Sequence, residues 1–270
     1  MRSSLCSAVI GASMMLLASA APATTATVNY TDLWWNPAES GWGVNMTQQA
    51  TTLYMTFYVY DRDATPMWIS ALLRKTGESP NGQPIFTGDT YLSTGPWFGG
   101  PFTTPPFQIA RAGSITFTPN DAVSGTLTYD VNGTRVTKSI QRETLVDDDL
   151  SGSYLTTWQL SVTCPPAASE TQELIGGHAT ITHSGTSFQL QEVDDLGETC
   201  TWAGGWTQQG QLARVDGNFS CVDGTSGTFT MSEIASSPIG ISGRVSANGR
   251  VNLPPLTACS ATGSFSALRR

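Results

Sequence analysis

The chain of 270 residues carries 13 Lys and Arg against 21 Asp and Glu, a net charge of −8, and its only lysines are Lys75 and Lys138. That balance argues against nucleic acid or an anionic membrane surface as partner, because both reward a basic face. Charged residues make up only 13%, Gly and Pro number 27 and 15, and Thr is the most frequent residue, which argues against disorder, a helical bundle or a parallel α/β nucleotide binder and for strands punctuated by turns.

Residues 1–26 read as an export signal. Arg2 forms the positive end, residues 5–17 a short apolar stretch, and Ala18-Ser19-Ala20 and Ala21-Pro22-Ala23 are small-residue cleavage sites. The stretch is too short and too rich in Ser and Gly to cross ~30 Å of hydrocarbon. Cys6 has no lipobox before it, and no other apolar run is long enough to span a bilayer. The chain is therefore expected to be secreted or periplasmic, with no transmembrane segment.

From residue 27 to 143 strand-like runs alternate with turn signals, at 33–35, 43–49, 52–60, 67–74, 85–92, 114–118, 124–131 and 134–141. Asn132-Gly133 between the last two is a two-residue hairpin signal, since both central positions need positive φ. Residues 144–150 are acidic, lack alternation and read as a linker, or else as a charged loop of one larger domain. From 151 to 270 the pattern resumes, at 153–161, 178–183, 187–193, 200–208, 211–221, 227–234, 239–246 and 260–268. Asp216-Gly217 inside the fifth run reads as a glycine kink rather than a turn. The expected class is all-β: two small antiparallel domains of about eight strands, each an up-and-down, calycin-like barrel or a flattened sandwich.

Beyond the signal there are four cysteines, Cys164, Cys200, Cys221 and Cys259, all in the second half. An even number in an oxidising compartment reads as two disulfides. No two are spaced as zinc ligands, so no metal is expected. In an up-and-down barrel, strands one, four, five and eight bring these positions to one rim, which favours Cys200–Cys221 and Cys164–Cys259. Sequence alone leaves all three connectivities open.

Several elements together carry a family resemblance. They are Leu33-Trp-Trp-Asn-Pro-Ala-Glu-Ser-Gly-Trp-Gly43, Tyr60-Asp61, Pro66-Met67-Trp68, Thr94-Gly95-Pro96 with a later Pro-Phe, and Tyr129-Asp-Val-Asn-Gly-Thr134 leading to Ile140-Gln-Arg142. They resemble a large group of secreted, mostly proteobacterial proteins of unknown function. Cys200-Thr-Trp-Ala-Gly and Gly217-Asn-Phe-Ser-Cys221 resemble the C-terminal half of some members. The resemblance implies an exported bacterial protein and no particular activity, so it transfers no catalytic residue.

The candidate binding residues are aromatic and all lie in the first half. Trp35 and Trp42 sit in a glycine-flanked motif that reads as a barrel end closed by Trp34 or Trp35, with Glu39 on backbone amides, or as a ligand site. In 52–60 Tyr54, Thr56, Tyr58 and Tyr60 share one face, and Trp68 and Ser70 share a face of the next run. Flat apolar area with hydroxyl handles suits a sugar ring, an aromatic ligand or a protein partner. Residues 95–107 form a Pro- and Gly-rich loop carrying Trp97, Phe98, Phe102 and Phe107, which either caps a barrel mouth or contacts a ligand or partner.

Catalytic signals are sparse. His178 and His183 fall on opposite faces of one strand, a poor metal pair. The first domain, 27–143, has neither His nor Cys, so no Ser-His-Asp or Cys-His nucleophile can form within it. Glu39 with Asp61 could serve a two-carboxylate hydrolase, though nothing in their spacing supports it, and Glu192, Asp194, Asp195 and Glu198, at a predicted turn, could hold a divalent cation weakly. No cofactor is expected. The leading expectation is an exported module that binds a small molecule, glycan or envelope component through aromatic residues. An envelope structural or interaction protein comes next, and a carboxylate-dependent hydrolase last.

Overall fold

A computed structural model of the protein describes residues 28–103, 106–165, 170–251 and 257–270; the export signal read at 1–26 lies outside them. Sixteen strands form two closed antiparallel barrels. The first contains β1 (Asp32–Trp35), β2 (Gly43–Gln49), β3 (Thr52–Tyr60), β4 (Pro66–Glu78), β5 (Pro84–Thr94), β6 (Gln108–Pro119), β7 (Ser124–Val131) and β8 (Thr134–Arg142). The second contains β9 (Gly152–Thr163), β10 (Glu170–Ser184), β11 (Ser187–Asp194), β12 (Thr199–Gln209), β13 (Leu212–Cys221), β14 (Ser226–Ser237), β15 (Gly240–Val251) and β16 (Thr257–Arg269). Every strand pairs with its chain neighbour, and β1–β8 and β9–β16 close the two rings. Each domain is thus an up-and-down barrel and not a flattened sandwich.

Period-two alternation builds both walls. On β3, Leu53, Met55 and Phe57 are buried while Tyr54 and Tyr58 face outward. Eight strands enclose just enough room for side chains to fill. The first core packs Tyr30, Trp34, Phe86 and Phe117 edge to face. Asn132 and Gly133 both have positive φ, as the hairpin between β7 and β8 requires.

Several strands run beyond the predicted bounds. β6 begins six residues early at Gln108, β10 eight early at Glu170, and β15 continues five further to Val251. Gly113, Gly176-Gly177 and Gly249 interrupt the propensity there. In a closed barrel each strand is paired on both sides, and the ladder holds residues that would not choose extension alone. Asp216 and Gly217 remain in the β13 ladder, where Gly217 opposes Gly204. A Cβ on Gly217 would lie 2.0 Å from the Ala203 carbonyl oxygen, so these glycines serve close backbone approach.

Both barrels close on the same device. The Trp34 indole donates to the Tyr30 carbonyl four residues back at 3.0 Å, and the Tyr154 hydroxyl donates to the Leu150 carbonyl four residues back at 2.7 Å. Arg142, the last residue of β8, lies over the Trp34 ring, and Arg269, the last of β16, lies over the Tyr154 ring. Each guanidinium donates to carbonyls of the entering segment, Asn29 and Thr31 in one case and Asp149 and Ser151 in the other. Asn29 and Asp149 each accept the amide two residues on. Thr31 and Ser151 each accept the backbone amide of the penultimate residue of the second strand of their barrel, Gln48 of β2 and His183 of β10. Six matching features, offset by 120 residues along the entering segments, mark the two barrels as repeats of one unit. The sequence trace is only Asn29-Tyr-Thr against Asp149-Leu-Ser, with Trp34 against Tyr154.

The barrels touch at these closed ends. Gln211, in the β12–β13 turn, donates its amide to Asp32, which also pairs with Arg142 at 2.9 Å. The acidic segment between the barrels is docked rather than free. Asp148 accepts from Ser236 and its amide donates to Gln208, while Leu150 is buried in the second core.

Candidate functional site

The six predicted ligand residues all lie on the first barrel, and they form separate groups. Trp35 ends β1 half-buried, opposite Gln141. Trp42 packs against the core, donates to Glu39 at 3.1 Å and carries the Lys138 ammonium 5.6 Å from its ring. Glu39 therefore serves Trp42 and Lys138 (2.5 Å), not the backbone amides expected of it. The Lys138 hydrogen bond, foremost, holds its carboxyl below the usual range, which suits an ion-pair partner better than a general acid. Tyr58 and Trp68 form a cross-strand pair on the outer wall, centroids 5.6 Å apart. Trp97 packs on Phe98 and over Gly99.

The loop that carries Trp97 and Phe102 is not a buried cap. Trp97 and Phe102 are each 70% exposed and Phe98 is 92% exposed. The mouth of the first barrel is narrowed instead by its own wall residues, Val59, Met67, Tyr129 and Val136. The loop aromatics thus stay outside the core that would have sheltered them.

The enclosed aromatic site lies in the second barrel. Its end away from the first barrel carries both disulfides, Cys164–Cys259 and Cys200–Cys221. Below that rim is a cavity of about 560 Å³, lined chiefly by Trp158, Leu160, Val162, Trp202, Phe219, Val245, Ala247 and Ala261. Trp202 lies between Trp158 and Phe219, nearly parallel to both, with centroids 5.2 and 4.6 Å away. Glycine makes this possible. Phe219, Gly227 and Gly249 form one row across β13, β14 and β15. A Cβ on Gly249 would stand 2.8 Å from the Phe219 ring, so the ring can lie along the wall only over glycine. The Trp202 indole N–H is buried with no hydrogen-bond partner among the described residues. An unmatched buried donor costs about 1–3 kcal/mol.

Beside the tryptophan pair sits a buried carboxyl. Glu192, 5% exposed, extends from β11 past β10 to β9, and Gly177 leaves the passage. A Cβ on Gly177 would lie 3.1 Å from Glu192 Oε1. Thr156 and the Trp158 indole both donate to that Oε1, the latter at 2.8 Å. Glu192 also lines an 80 Å³ void with Trp158, Ile175, Glu198 and Trp202. Burial pushes its carboxyl up from the ordinary value; the hydrogen bonds from Thr156 and Trp158 oppose this, and Asp194 and Asp195 add to it.

The other acids of the sequence cluster are engaged separately. Asp194 accepts the amides of Leu196 and Glu198, and Glu198 accepts that of Asp223. Among the described residues no three His, Cys, Asp or Glu side chains are grouped to hold a metal.

Glu192 gives stability a definite pH slope. Its folded value lies above its unfolded one, so between the two the folded chain binds more protons and stability falls as pH rises. Replacing Glu192 with Gln removes that slope. The melting temperature of the variant relative to the native chain is expected to rise as pH climbs from the ordinary carboxylate range towards neutrality. Parallel melting curves for the two proteins would show that the carboxyl titrates normally.

Alternation could have revealed the inner face. Trp158, Leu160 and Val162 fall at every second position, as do Trp202 and Trp206, and Gly217 with Phe219. From sequence the segments around Trp202 and Phe219 read as strands that carry a family resemblance and a disulfide, not as a binding site. What sequence could not supply is the pairing that sets Trp158 beside Trp202, 44 positions apart. Comparison with protein-family models and with the curated proteins finds no match to this chain.

Proposed function

We propose that the protein is an exported two-barrel binding module whose second barrel holds a small, largely apolar molecule. The observation that carries this reading is the cavity walled by Trp158, Trp202 and Phe219. Small-molecule sites are concave, mostly apolar and equipped with few polar groups. The disulfides at the rim suit an oxidising compartment and brace the strands that line the opening. A second reading rests on the exposed outer wall of the first barrel, where Tyr54, Tyr58, Trp68 and Leu72 offer a contact for a glycan or an envelope protein.

The test is titration with N-phenyl-1-naphthylamine, a neutral fluorophore that brightens in apolar surroundings. One equivalent is expected to bind, and Ala261→Trp, which fills the cavity, is expected to abolish the signal while Trp68→Ala leaves it intact. Brightening that survives Ala261→Trp, or none with the native chain, would overturn the cavity reading.

A further inference from the structure

The chemistry around the cavity narrows the class of ligand. Among the described residues no Lys, Arg or His lines either the 560 Å³ cavity or the adjoining 80 Å³ void. The acids present are Glu173 on the larger and Glu192, Asp194 and Glu198 on the smaller. A carboxylate or phosphate ligand would meet like charge and no cation, which is costly in a site removed from water. Fatty acids and other apolar anions are therefore the wrong class.

Glu192 is the informative group. Both of its hydrogen bonds fall on Oε1. The groups that face it are Thr156 and Trp158 from β9, Gly177 from β10 and Trp202 from β12, with Asp194 and Asp195 further along its own strand and turn. None of them is a cation. A buried carboxylate is normally paired or neutralised, and here no described residue provides a positive partner. Trp158 and Trp202 border both voids, and the Trp158 indole N–H is turned to Glu192. A buried acid with no positive partner among the described residues, in a void that shares Trp158, Leu160 and Trp202 with an apolar cavity, is complementary to an ammonium group on an apolar body.

We infer that the ligand of the second barrel is an organic amine, its apolar part in the Trp202–Phe219 cavity and its ammonium group paired with Glu192. The inference rests on the cavity reading and adds the charge of the ligand to it. The ammonium replaces the missing counter-charge of Glu192, and the aromatic body displaces water from the larger chamber.

The experiment is displacement of bound N-phenyl-1-naphthylamine by three compounds with one apolar body: 2-(1-naphthyl)ethylamine, 1-ethylnaphthalene and 3-(1-naphthyl)propionate. The amine is expected to compete about tenfold or more better than the neutral compound, and the propionate worst. In Glu192→Gln the amine is expected to fall to the level of the neutral compound, while the uncharged probe still binds and so reports an intact barrel. Equal competition by all three, or an amine preference that survives Glu192→Gln, would overturn the inference and leave the cavity reading standing. Failure of the probe itself to bind the native chain would remove both.

Discussion

Arg142→Ala is expected to destabilise the first barrel by about 3–5 kcal/mol, the cost of breaking a buried ion pair from one side. Arg142 is 2% exposed, and its guanidinium donates to Asp32, Ala122, Thr31 and Asn29 while covering the Trp34 ring. Removing it strands the Asp32 carboxylate, which is also buried, and leaves three carbonyls without their donor. Lysine is not expected to rescue, because one ammonium cannot reproduce a planar fork that reaches four acceptors. Arg269→Ala supplies the control. It occupies the matching place in the second barrel, yet it is exposed and touches no buried carboxylate among the described residues, so a much smaller loss is expected. Urea unfolding of the two variants reads the difference. Equal losses would mean that the burial of Arg142 beneath Gly210 of the β12–β13 turn contributes nothing.

The two disulfides are expected to differ with the logarithm of the length of chain they close. Cys164–Cys259 spans 95 residues and Cys200–Cys221 spans 21. Loop-closure entropy assigns about 4.7 kcal/mol to the first and about 3.3 kcal/mol to the second. The larger bond joins β9 to β16 where the ring closes, so the Cys164→Ser/Cys259→Ser variant should loosen the closure itself, while Cys200→Ser/Cys221→Ser leaves a hairpin already held by its ladder. Melting of both double variants in the full chain tests this. The first barrel has no cysteine, and its transition should not move in either. A larger loss from the short loop would show that local strain or packing, not chain entropy, decides the contribution.

The barrels themselves were legible because alternation, turn residues and cysteine positions agree. β2, β3 and β7 match their predicted bounds, and both disulfides join the expected pairs. Where β10 and β15 outran their predicted ends, glycine hid the strand, and it did so next to the cavity. Gly177 and Gly249 read as interruptions in one dimension. In three dimensions they are the places where Glu192 and Phe219 cross a neighbouring strand. The candidate site was harder to read for a related reason. Exposed aromatics crowd into short segments of the first barrel, as at Trp97-Phe98, and draw attention. The enclosed set, Trp158, Glu192, Trp202 and Phe219, is scattered over four strands and meets only through the register. The equivalence of Trp34 with Tyr154 and of Arg142 with Arg269 was similarly hidden, since it resides in carbonyl contacts that side-chain identity barely records.

The measurement that bears most directly on the cavity as the functional site is native mass spectrometry of the mature chain after exposure to cell-envelope extract and culture fluid. The native protein is compared with Ala261→Trp and with Tyr58→Ala/Trp68→Ala. A discrete increment of a few hundred daltons is expected on the native chain and on the Tyr58/Trp68 variant, and none on Ala261→Trp. An increment kept by Ala261→Trp and lost with Tyr58 and Trp68 would contradict the account and move the site to the outer wall of the first barrel.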